Sequence, residues 1–154
     1  MKKEQGFSLI ELLIVVAIIA IIAAIAVPSM LTARMAANES GAIQGCRTIG
    51  SAEVAYAAVN NQNFATLIEL TTQDAAGNSY LDQRFASDSG FNGYRYNEES
   101  ADDTTFKFQA NPLTLNSTGR YDYTISQDLV VRYGEHAPEG NTKGDAIGAA
   151  GSGS

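Results

Sequence analysis

Glu11 is the residue whose chemistry most needs explaining. It is a carboxylate standing directly before Leu12–Val27, sixteen consecutive positions occupied only by Leu, Ile, Val and Ala. Phe7, Leu9 and Ile10 lie on its other side. A charge in such a setting costs a few kcal/mol if it faces lipid unpaired, and it usually marks a function with a partner. The alternative is that Glu11 reaches the membrane interface from near a helix end. The residues alone favour neither reading over the other.

Few other side chains offer chemistry. The sequence has one cysteine, Cys46, so an intrachain disulfide and a Cys-only metal cage are both excluded. The one histidine, His136, is far from it in the chain, which gives little to build a zinc site or a Cys-His nucleophile pair. Cys46 is expected to be a small buried helix residue rather than a reactive thiol. Asp102 and Asp103, with Asp82, Asp88 or Asp122, could supply oxygen ligands to calcium, but the spacing fits no calcium loop, and solvated turns are favoured. Asn38-Glu39-Ser40 and Asn116-Ser117-Thr118 fit a glycosylation triplet that arises easily by chance. No Ser/His/Asp set, phosphate loop or haem-attachment Cys pair is present, so no catalytic residue, metal ligand or cofactor is assigned and the expectation is a non-enzyme. With 10 Lys+Arg against 17 Asp+Glu, a net charge of −7, nucleic acid is not an expected partner.

The elements that position Glu11 follow from the apolar run. No charge occurs between Glu11 and Arg34, a length that satisfies the roughly 20 apolar residues needed to cross a bilayer. The run is apolar all round, and backbone groups in lipid must bond within the segment, so helix is the expected form. Lys2 and Lys3 hold the N-terminus in the cytoplasm and place the rest of the chain outside. A secretory signal would have a shorter run and a small-residue exit. A plain anchor explains the run but not Glu11. Pro28 lacks an N–H and clashes with the preceding turn, so it is expected to kink or weaken the helix.

Lys2-Lys3-Glu4-Gln5-Gly6-Phe7-Ser8-Leu9-Ile10-Glu11-Leu12-Leu13 resembles the N-terminus of type IV pilins and type II secretion pseudopilins. A short basic leader ends in Gly6, Phe7 follows, and Glu11 is fifth counted from Phe7. The resemblance covers roughly the first third of the chain. It implies cleavage between Gly6 and Phe7 by a membrane prepilin peptidase, then N-methylation of Phe7. It also implies pairing of Glu11 with the Phe7 amine of a neighbouring subunit, so that Glu11 sets the stagger of incoming subunits. The implied partners are identical subunits in a homopolymer, the peptidase, the inner-membrane pilus assembly machinery, and the membrane itself before assembly. The implied course is an inner-membrane precursor that becomes a cell-surface pilus. The alternatives are a major-type pseudopilin of a type II secretion system and, last, an extracytoplasmic domain on an uncut anchor. The single cysteine departs from those pilins that close a C-terminal loop with a disulfide.

The remaining chain is expected to form an α+β, pilin-like fold. Residues 1–6 are the leader, 7–33 the transmembrane or filament-core helix, and 34–60 its amphipathic half. Residues 61–137 form a globular head, and 138–154 a disordered tail. Ile43, Cys46, Ile49 (or Gly50), Glu53 and Tyr56 recur at three- and four-residue steps, with Val54 and Val59 nearby, a face laid on a domain. Gly41 and Gly45 point to close packing on a sheet or neighbour. Asn60–Asn63 ends the helix, and short pieces are expected at 64–70 and 80–85. Period-two runs at 94–96, 106–108, 121–125 and 129–133 predict about four antiparallel strands, joined by connections at 98–103 and 126–128.

Overall fold

The computed structural model describes residues 7–74, 77–102, 104–135 and 145–146. The expected leader, which includes Gly6, together with Ala75, Ala76, Asp103, His136 and all of the tail except 145–146, lies outside the described residues. The chain divides into two units, Met1–Arg34 and Met35–Ser154.

Helix α1 runs over Leu9–Val59 and is assigned continuously across Pro28. In the first unit its large apolar residues from Leu9 to Leu31 are all exposed. In the second unit it buries a narrow face: Met35, Ala42, Gly45, Cys46, Ile49, Gly50, Ala52 and Glu53. The face is centred on small residues because large aromatic rings from the sheet meet it. A Cβ placed on Gly45 would stand 2.6 Å from Cζ and 2.7 Å from Cε1 of Tyr96, with the hydroxyl closer still. Gly50 similarly faces Ile125 Cδ1, at 2.7 Å. Ile43 and Tyr56 are half-buried at the edge of this face, whereas Val54 and Val59 are exposed.

The helix ends where Asn61 and Gln62 take positive φ, at 56° and 67°. A short helix, α2, spans Leu67–Thr71 and starts on a complete capping box between Thr66 and Glu69. That box explains why it begins three residues after Phe64, the expected start. A 3-10 turn at Gln83–Ala86, capped by Asp82, replaces the piece expected from Tyr80.

The sheet is an antiparallel meander of five strands in the order β1-β2-β3-β4-β5: Tyr94–Ala101, Phe106–Pro112, Tyr121–Ser126, Arg132–Glu135 and Asp145–Ala146. Pairing sets Tyr96 opposite Ala110 and Phe108 opposite Ile125. Three expectations are corrected. β1 continues to Ala101 through an irregularity between Glu98 and Ser100, so the connection to β2 is only 102–105 rather than 98–103. Its turn is built by Asp102, whose Oδ1 accepts the amides of Thr104 and Thr105, each at 2.8 Å, and those bonds pull its carboxyl down to about 2. β4 starts at Arg132, not Leu129, because Asp128 holds a turn there. Asp128 accepts from Val130 N at 3.0 Å and Arg132 Nη2 at 2.5 Å, while Leu129 adopts φ 59°. Finally, Asp145 and Ala146 form a fifth strand within the stretch expected to be disordered.

The core lies between α1 and the inner face of the sheet. Tyr94, Phe106, Phe108, Ile49 and Leu70 are its largest fully buried apolar side chains. Phe85, Phe91 and Tyr96 pack ring on ring, with centroids 4.8–5.3 Å apart, over the glycines of α1.

Candidate functional site: the N-terminal segment of the apolar helix

Ser8 and Glu11 together start α1. The Ser8 amide donates to Glu11 Oε2 at 3.0 Å, and the Leu12 amide donates to the Ser8 carbonyl at 3.3 Å. This is the carboxylate half of a capping box, Ser8-x-x-Glu11, in which the third helical residue reaches back to an otherwise orphaned N–H. A negative charge in the first turn also complements the helix dipole. The signal for this arrangement was present in the sequence as S-x-x-E ahead of an apolar run. It is easily passed over when Glu11 is weighed only by the cost of its charge. Glu11 therefore has a local structural role besides any partner in another molecule. Its Oε1 has no hydrogen bond among the described residues.

Phe7 is 76% exposed and precedes the helix. Gly6, the other side of the expected cleavage point, lies outside the described residues. Glu11 and Phe7 thus occupy one short segment, with Ser8 between them in the role of helix start. Pro28 lies inside α1, and its missing N–H deprives the Ala24 carbonyl of its helical partner. One turn later the Thr32 hydroxyl donates to the Ser29 carbonyl at 2.8 Å and more weakly to that of Pro28, at 3.4 Å. Hydroxyls bonded back in this way accompany bent helices.

By length and composition, α1 contains a stretch able to cross a membrane, and none of that stretch is buried within the protein. Residues 1–27 match the family model described as the prokaryotic N-terminal methylation motif. The chain carries the type IV pilin and pseudopilin signature. Its fold agrees with that signature: a long apolar helix followed by an antiparallel sheet, α+β and pilin-like. The motif implies processing by prepilin peptidase and assembly at the membrane, and the apolar helix fits a membrane-anchored precursor. No curated protein matches the chain.

The other candidates of the sequence are dispersed in the pilin-like head. Cys46 is fully buried, and burial pushes its thiol up to about 12, so it is not a nucleophile in the folded head. Asp82 is engaged by Arg84, and Asp102 by its own turn. Asp122 is buried and accepts from Gln109 at 3.3 Å. Among the described residues, no three of His, Cys, Asp and Glu are gathered so as to hold a metal ion. Asn38 is turned inward and donates to the Thr118 carbonyl at 2.8 Å. Gly45 does meet the sheet closely, as expected of the Gly41–Gly45 pair.

Proposed function

We propose that this chain is a structural, non-catalytic subunit of a type IV pilus. It would be cut between Gly6 and Phe7, methylated on Phe7, and polymerised with identical subunits by the inner-membrane assembly machinery into a cell-surface filament. The observation that carries this reading is the match of residues 1–27 to the methylation motif, with Glu11 fifth from Phe7. Two features of the helix support it. The apolar surface from Leu9 to Leu31 is exposed in the single chain, an expanse that soluble monomers avoid. Glu11 has one oxygen engaged by Ser8 and the other free among the described residues. A carboxylate so placed can hold its own helix start and still meet the Phe7 amine of the next subunit. Such a pair in an apolar layer adds little net stability, but a wrong register leaves a charge unpaired and is heavily penalised. Pro28 supplies a point at which the helix can bend or locally melt during packing.

The test is mass spectrometry of the mature N-terminus. A methylated Phe7 supports the pilin reading, whereas an intact Met1 leaves an anchored head and overturns it. Glu11→Gln keeps a carbonyl for the Ser8 amide but removes the charge, so it should leave the helix start intact and abolish assembly. Filaments at the parent level would end the register argument. Micrometre-length surface fibres separate a pilus from the short periplasmic assembly of a secretion pseudopilin.

A further inference from the structure

Three consecutive amides at the start of α2 are each held by a different glutamate. Ala65 N donates to Glu53 Oε2 at 3.0 Å, Thr66 N to Glu69 Oε2 at 2.8 Å, and Leu67 N to Glu98 Oε2 at 2.8 Å. The three carboxyls come from three elements: α1, α2 and β1. They therefore clip the segment after Asn60 to the helix and the sheet at once. Among the described ion pairs, none includes Glu53, Glu69 or Glu98, and Lys107 on β2 is taken by Glu99. Three carboxyl groups thus converge on one tripeptide.

Glu53 differs from the other two. It is fully buried, and its Oε1 has no hydrogen-bond partner among the described residues. A buried carboxylate oxygen without a donor or a cation is costly, and a proton on the group removes most of that cost. The charges that face Glu53 are Glu98 from β1 and Glu69 from α2, and both oppose its ionisation. The Ala65 amide acts the other way, but burial outweighs it, and the carboxyl is pushed up to about 7.

We propose that Glu53, Glu98 and Glu69 form a proton-gated latch: with Glu53 protonated, residues 65–67 are clasped to α1 and β1, and when Glu53 ionises the segment lifts to let water reach it. The sign follows from linkage. The closed state holds the proton more tightly than an open, hydrated one, whose carboxyl has the ordinary value of 4.5. Closure is therefore strongest below the ordinary value and weakens as pH rises towards about 7. The segment carries Ile68, which is 71% exposed, so lifting it would alter an apolar feature of the head surface. The latch does not depend on the pilus reading.

The test is amide hydrogen exchange at Ala65–Leu67 in the full chain in detergent micelles, corrected for the intrinsic base-catalysed rate. Between about pH 5.5 and about pH 8.5, the two carboxyl values give a loss of protection of roughly 30-fold in the parent chain. Glu53→Gln should hold protection flat over this range. Glu98→Gln removes one opposing charge and should move the loss to lower pH, which tests the latch even if the Glu53 variant folds poorly. Unchanged protection in the parent would overturn the proposal. So would the same pH-dependent loss in Glu53→Gln, or no displacement in Glu98→Gln.

Discussion

Gly45→Ala decides between two effects of opposite sign. In a helix interior, alanine is favoured over glycine by about 1 kcal/mol, so helix propensity alone predicts a more stable head. The packing says otherwise. The new methyl would lie 2.6 Å from Cζ of Tyr96, too close for any real Cβ, and Tyr96 has little room to retreat. It is 3% exposed and is packed by Phe85 and Phe91, with ring centroids at 4.9 and 5.3 Å. Forcing a methyl into a filled core costs typically 1–3 kcal/mol, and a displaced ring stack lies towards the upper end. After subtraction of the propensity gain, Gly45→Ala should destabilise the head by about 1–2 kcal/mol. Tyr96→Phe removes a buried hydroxyl that has no partner among the described residues, so it should be neutral or slightly stabilising. In that background the alanine should cost less, because the closest atom is gone. The seven tyrosines all lie between Tyr56 and Tyr133, so the tyrosine band of the near-ultraviolet circular dichroism in urea reports the head alone. A Gly45→Ala chain more stable than the parent, or equal costs in the two backgrounds, would refute the packing account.

Other outcomes follow from individual side chains. Cys46 should resist thiol reagents in the folded chain and label at the rate of unfolding; Cys46→Ser, which buries a hydroxyl among apolar groups, should cost about 1–3 kcal/mol in the same urea assay. Thr66→Ala breaks the capping box of α2 and should cost about 1 kcal/mol, with lost amide protection confined to the residues around 66–72. The Arg132 guanidinium beside Asp128, with the Val130 amide and the Ser126 hydroxyl, holds that carboxyl down at about 2, so its support of the β3–β4 turn is complete above the ordinary carboxylate range and is lost as pH falls towards 2. Acid titration followed by the Tyr121 and Tyr133 resonances should show this, and Asp128→Asn should flatten the low-pH response.

The N-terminal methylation motif was legible because it is written in residue types at fixed spacing. Gly6, Phe7, Glu11 and the apolar run need no tertiary context to be recognised. The strand centres at Tyr94–Tyr96, Phe106–Phe108 and Tyr121–Ile125 were legible for a similar reason, since alternation is a local property. What escaped depends on side chains acting on distant or neighbouring backbone. Leu129–Val131 has the composition of a strand, yet Asp128 draws it into a turn, and β4 waits until Arg132. Asn97–Ala101 has no apolar alternation, but the ladder to β2 keeps it extended past the irregularity at Glu98. Glu53 was visible as a member of the inward face. Its bond to Ala65, across the chain reversal after Asn60, was not, because nothing in the local pattern specifies where that loop returns.

In the meander, every strand pairs with its immediate predecessor. For a chain held by its leading helix, with the residues after that helix delivered across the membrane in sequence order, each newly arrived strand finds its template already on the far side. The edge can be extended one hairpin at a time, with short loops to close, and no earlier strand has to wait for a remote mate. Export and sheet growth can then proceed in step, and the growing edge is at any moment only as long as the last strand to arrive.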